Sequence, residues 1–228
     1  MNSLNVNIIF WGIWTELLLV ILMILTRSKK KVHKVSLTKS YARRKKQSMK
    51  KFELITESKI NFFGKELFRI KALISFGNVR EGDTGGWVEK EENLSHSGNA
   101  WVYGNARVYG NARVYGDAEV YGNAEVYGDA EVCGNARVRG DAEVCGDAEV
   151  CGNADYATIH GFGTQFRTTT FFRCKDKQVR VCCGCFFGTI PKFREQVNKT
   201  REGKISEEYL MIADLMEKHF TEERESGE

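Results

Sequence analysis

Histidine is scarce in this chain of 228 residues and missing from its most regular part. Of four, His33, His96, His160 and His219, none lies between Gly98 and Asp155. That absence removes the commonest general base from the segment. Four scattered imidazoles also cannot supply the cluster that a His-based zinc centre needs. Proline is nearly absent, and the single one, Pro191, suits the first turn of a helix. The seven cysteines include no paired C-x2-C knuckles. Cys174, Cys182, Cys183 and Cys185 fall in C-C and C-x-C spacings and are read as reduced, half-buried thiols, with Cys183 and Cys185 on one strand face and Cys182 on the other. No catalytic, cofactor-binding or metal-binding residue is assigned, and no cofactor.

Excess positive charge is missing from the greater part of the chain. Residues 1–48 hold ten Lys or Arg against Glu16 alone, a net of +9, which leaves 24 basic and 29 acidic residues, a net of −5, for residues 49–228. A mildly acidic surface neutralises few phosphates, so no nucleic-acid partner is expected. The run Ile8–Leu25 is interrupted by polarity only at Thr15 and Glu16, and eighteen residues barely span a bilayer. No basic residue precedes it, whereas Arg27 and the Arg43-Arg44-Lys45-Lys46 cluster follow. That asymmetry argues against a cleaved secretory leader and, under the positive-inside rule, places the C-terminal side in the cytoplasm. Met49-Lys50-Lys51-Phe52 opens what reads as a complete soluble domain. Residues 1–26 are therefore either a membrane anchor, with a membrane partner through residues 8–25, or an over-extended start; residues 27–51 are a basic linker.

What the chain has in abundance is glycine at a fixed interval. Gly98, Gly104, Gly110, Gly116, Gly122, Gly128, Gly134, Gly140, Gly146 and Gly152 recur every six residues, in the pattern G-[N/D]-A-x-V-x. A hexapeptide period means a parallel β-helix, whose repeats bury their apolar face only by stacking. Side chains alternate along a strand, so Ala and Val point inward while the x positions point outward. Gly and Asn or Asp turn the corners. Three hexads make a triangular coil of about eighteen residues, and residues eighteen apart stack. Arg107 then lies under Glu125 and Glu143, Arg113 under Glu131 and Glu149, and Trp101 under Glu119, Arg137 and Asp155. Tyr103 stacks with Tyr121, Tyr109 with Tyr127, and Tyr115 with Cys133 and Cys151. From that stacking alone, a Cys133–Cys151 disulfide is not assumed.

The repeat resembles the left-handed β-helix of the hexapeptide-repeat superfamily over residues 98–157. Upstream, Gly82-Asp83-Thr84-Gly85-Gly86-Trp87-Val88, Asn93-Leu94-Ser95 and Gly98-Asn99-Ala100-Trp101-Val102 are similar to the start of bacterial YdcK-like β-helix proteins, often labelled putative transferases. Thr168 to Cys174 and Cys183 to Thr189 resemble a C-terminal domain of uncharacterised bacterial and phage proteins. The superfamily's acyltransferases imply a general-base His on a coil and an extruded loop, and this chain has neither; His96 and His160 only flank the repeat. Fold alone licenses no activity.

Residues 52–97 read as a β N-terminal cap, with Phe68, Ile70, Ala72, Ile74 and Phe76 alternating against polar neighbours and Gly64-Lys65 as a turn. Residues 158–220 read as a small α+β C-terminal domain, and 221–228 as a charged tail. Phe171–Cys174 and Val179–Cys183 form a hairpin. One helix opens at Thr189 and another at Ser206, the second burying Leu210, Ile212, Ala213, Met216 and Phe220. The fold class expected is mainly β: a single-stranded left-handed parallel β-helix, capped at both ends. The function expected is a non-catalytic scaffold that self-associates as a trimer through Trp101, Tyr103, Tyr109, Tyr115, Tyr121 and Tyr127, with a protein partner not identified by the sequence. The alternatives are an acyltransferase with its site near His96 or His160, and a bactofilin-like polymer. The expected location is cytoplasmic, with an N-terminal anchor to the inner membrane face on the first reading of residues 1–26.

Overall fold

In the computed structural model, three short strands per coil build a β-solenoid of about four turns. The structure describes residues 50–221, so the apolar run 8–25 and most of the basic linker lie outside the described residues. Among those described, no helix is long and apolar enough to cross a membrane.

Two antiparallel strands come first, β1 (Phe52–Ile60) and β2 (Glu66–Ala72). Their turn closes because the Asn61 side-chain oxygen accepts from the amides of Phe63 (3.0 Å) and Lys65 (2.9 Å). β2 pairs with β3 (Thr84–Val88), and β3 pairs in parallel with the first hexad strand of its face. Two-residue strands then follow at six-residue intervals: β4 (Trp101–Val102), β5 (Arg107–Val108), β6 (Arg113–Val114), β7 (Glu119–Val120), β8 (Glu125–Val126), β9 (Glu131–Val132), β10 (Arg137–Val138), β11 (Glu143–Val144) and β12 (Glu149–Val150).

These strands stack into three faces. The first is β3-β5-β8-β11, extended sideways by β2 and β1; the second is β6-β9-β12; the third is β4-β7-β10. Register is eighteen residues throughout the hexads, as in Arg107↔Glu125 and Glu119↔Arg137. Every Ala and Val of the repeat from Ala100 to Val150 is buried. The corners need glycine: at Gly122 φ is +76°, and an added Cβ would sit 2.9 Å from the Gly140 backbone.

The stack begins before the hexads. Trp87 pairs with Arg107 and Leu94 with Val114, a spacing of twenty, so the first coil holds two extra residues between Leu94 and Trp101. Gly86 permits this entry, since its missing Cβ would meet Val102 Cγ1 at 2.6 Å and the Ala106 oxygen at 2.8 Å.

Beyond the last coil an antiparallel sheet forms in the order β13 (Tyr156–Phe162), β14 (Arg167–Arg173), β15 (Val179–Cys183), β16 (Phe186–Thr189). Phe172, Cys174 and Cys182 join the solenoid core. Phe171 and Val181 pack instead on α1 (Ile190–Thr200) and α2 (Gly203–Thr221). Thr189 caps α1, its hydroxyl accepting from the Lys192 amide, with Pro191 in the first turn. α2 starts three residues before the expected Ser206 and buries Tyr209 together with Ile212, Ala213, Met216 and Phe220; Leu210 is half-buried. Cys185 lies in the β15–β16 turn, exposed, and so shares no strand face with Cys183.

Candidate functional site

The outward positions of the solenoid carry ladders of polar contacts, because stacking brings like positions to successive coils. Arg107 is ion-paired with Glu125, whose other oxygen accepts from Tyr109 Oη at 2.8 Å. Tyr115 Oη donates to Glu131 at 2.8 Å, and Lys175 Nζ reaches the same carboxylate at 2.9 Å. Those two bonds hold the Glu131 carboxyl below its ordinary range. On the third face Arg137 Nε lies 3.2 Å from Glu119. At the corners, Asn99, Asn111 and Asn123 each donate to the Asp one coil on, Asp117, Asp129 and Asp141. Single exposed pairs of this kind add little stability. Higher on the first two faces the ladders place Glu143 on Glu125 and Glu149 on Glu131, so the pairing does not extend through every level.

Two of the aromatic positions are not free surface. Tyr109 stacks on Tyr127 with ring centroids 5.0 Å apart, but Phe63 of the β1–β2 turn covers the pair at 6.3 and 6.2 Å. Tyr109 is left only 4% exposed, packed with Leu67 and Trp87. Trp101 is 1% exposed, because Phe52 and Phe76 close over it. The outward assignment of Trp101 and Tyr109 from the repeat is thereby corrected: the position faces out of the coil, and the chain's own N-terminal strands bury it. Tyr103, Tyr115, Tyr121 and Tyr127 remain half-buried.

Both ends of the stack have edge polar groups met by side chains. At the first coil, buried Lys51 donates to the Ala100 oxygen at 2.7 Å and the Gly98 oxygen at 3.3 Å, while Arg69 reaches the Gly104 oxygen at 2.8 Å. Asn93, fully buried, donates to the oxygens of Gly110 (3.1 Å) and Ala112 (2.8 Å). Burial pushes the Lys51 amine down to about 8. At the last coil the donors are backbone amides and the acceptors side chains: Glu143 to Thr170 (3.0 Å), Cys151 and Gly152 to Asp155 (3.0 and 2.7 Å). Nothing in the repeat pattern announces Lys51 or Asn93; an isolated polar residue at the foot of an apolar stack was the available signal.

The two histidines flanking the repeat lie on different elements. His96 stacks on Phe52 at 4.3 Å, and its Nδ1 accepts the Lys51 amide at 3.2 Å. His160 is exposed on β13, with Nδ1 3.2 Å from Thr168 Oγ1. Cys174 and Cys182 are buried rather than half-buried, and Cys182 Sγ lies 3.2 Å from Glu143 Oε2. Burial and the neighbouring Asp147 push the Cys174 thiol up to about 12, which keeps it unreactive. Cys133 and Cys151 form a disulfide with Cα atoms 4.3 Å apart, a bridge that the stacking alone left unassumed. The eighteen-residue register brings the two thiols of the column directly together.

A rigid, regular stack with laddered faces defines this chain as a β-solenoid protein. A family model described as the YdcK beta solenoid repeat matches residues 100–116 and 106–120, so the repeat is similar to that family's over this short stretch. No curated protein matches the chain.

Proposed function

We propose that this protein is a non-catalytic structural or interaction scaffold: a left-handed β-helix, capped at both ends, that self-associates side by side as a closed trimer. The observation that carries this reading is the hydrogen bonding of the two ends. A stack that grew end to end would need bare edge groups to pair with the next copy. Here Lys51, Arg69 and Asn93 occupy the edge at one end, and Thr170 and Asp155 at the other. That arrangement favours a closed assembly over a polymer. Because the N-terminal hairpin covers the first face, association runs through the second and third, where Tyr115, Tyr103 and Tyr121 are half-buried. Residues 8–25 would tether such an assembly to a membrane on the anchor reading.

Light scattering on the purified chain tests the proposal. A discrete oligomer that dissociates in a Tyr115→Ser, Tyr121→Ser variant with unchanged circular dichroism supports it. A monomer at high micromolar concentration, or open-ended filaments, refutes it.

A further inference from the structure

The third face has three stacked levels, at Trp101, Glu119 and Arg137, while the first two each have a further level before the hexads, at Trp87 and at Leu94. Its last strand is β10, and the chain later leaves the stack as β13. The Arg137 amide therefore donates to the Asn153 side chain (2.9 Å), and the Tyr156 phenol donates to the Arg137 oxygen (2.5 Å). The end of this face opens a concavity lined chiefly by Tyr121, Arg137, Arg139, Asn153, Tyr156 and Thr158. It contains two guanidinium groups and no carboxylate. Arg137 is balanced from outside by Glu119. Arg139 forms no ion pair among the described residues; its neighbour is the Tyr156 phenol. A second concavity continues from the first, sharing Arg137 and Asn153. Its lining is of opposite character, with Asp117, Glu119, Asn99 and Asn135.

We propose that this groove binds a small, hydroxyl-rich molecule bearing one oxyanion, a sugar acid or a sugar phosphate. Arg139 is the one cation of the first concavity without a carboxylate, and a guanidinium pairs with a carboxylate or phosphate through two parallel bonds. Hydroxyls of the ligand donate to Asp117 and Glu119 and accept from the amides of Asn99 and Asn135, as those side chains allow. The rings of Tyr121 and Tyr156 flank the anionic end. Tyr103 and Tyr121 also belong to the third-face contact proposed for the trimer, so ligand and self-association compete for this face. A Tyr115→Ser chain, which lacks the second-face contact, is therefore titrated beside the parent.

The test is titration calorimetry on the full chain with glucuronate and with glucose 6-phosphate, against glucose and inorganic phosphate. The two acids distinguish a carboxylate from a phosphate ligand. Expected is saturable binding of at least one acid, tighter than glucose and inorganic phosphate, weakened about tenfold or more by Arg139→Gln and by added salt. Arg113→Gln, on the second face, should leave it unchanged. No saturable binding of either acid, binding indifferent to Arg139→Gln, or inorganic phosphate binding as tightly as both acids would overturn the proposal.

Discussion

Replacing Asn93 with Leu removes three hydrogen bonds while keeping the side chain's size. The Asn93 amide nitrogen donates to the oxygens of Gly110 and Ala112, and its oxygen accepts the Lys90 amide at 3.0 Å. The residue is fully buried, so water cannot replace these bonds. Each buried backbone group left without a partner costs about 1–3 kcal/mol. Two carbonyls keep a second lone pair and the Lys90 amide is near the surface, so a total of about 3 kcal/mol is reasonable. For a unit of this size that lowers Tm by roughly 6–12 °C. The effect should be local as well: the amides of Trp87 and Ser95, which donate to Ala106 and Val114, should exchange faster with deuterium. Thermal unfolding followed by circular dichroism measures the first effect, and exchange mass spectrometry the second. A Tm within about 2 °C of the parent, with exchange at Trp87 and Ser95 unchanged, would refute the view that Asn93 substitutes for missing strand donors.

Val126→Asp should unfold the coil, because a charge in the apolar prism has no partner, whereas Glu125→Ala should change stability by about 1 kcal/mol or less; equal thermal shifts would contradict the two faces. Lys51 titrates near 10.5 unfolded and about 8 folded, so the unfolded chain binds more protons between those values and stability rises with pH from about 8 upward. The neutral amine keeps both hydrogen bonds; urea unfolding between pH 7.5 and 9.5 should show a smaller rise in Lys51→Met, with the remainder from Lys59, and an identical slope speaks against the buried charge. The Cys133–Cys151 bridge closes a loop of eighteen residues, for which about 3 kcal/mol is expected, so reductant should lower Tm in the parent and not in Cys151→Ser. Acyl-CoA should give no thermal shift; a clear shift abolished by His96→Ala or His160→Ala would favour the transferase reading.

Much of the stack is legible in the chain because a strict period leaves one way to superpose it. Once Gly recurs every six residues, the neighbours Arg107–Glu125 and Tyr109–Tyr127 follow from arithmetic. The first coil escapes the pattern, because its strand at Trp87 lies in no hexad and its spacing is twenty. Burial of Tyr109 and Trp101 escapes it too, since the repeat says which way a side chain leaves its own coil and not what folds back over it. Cys185 fell out of its strand because Gly184, at φ +58°, turns the chain one residue earlier than alternation implies. The groove at Arg139 is legible only in three dimensions, where the end of one face leaves its edge to side chains.

Capped ends and patterned faces are proposed to give a closed assembly. Sedimentation velocity across a wide concentration range tests it most directly. A single species of three times the chain mass, constant over that range, is the predicted result, and a monomer throughout or a boundary that broadens and speeds up without limit would contradict it.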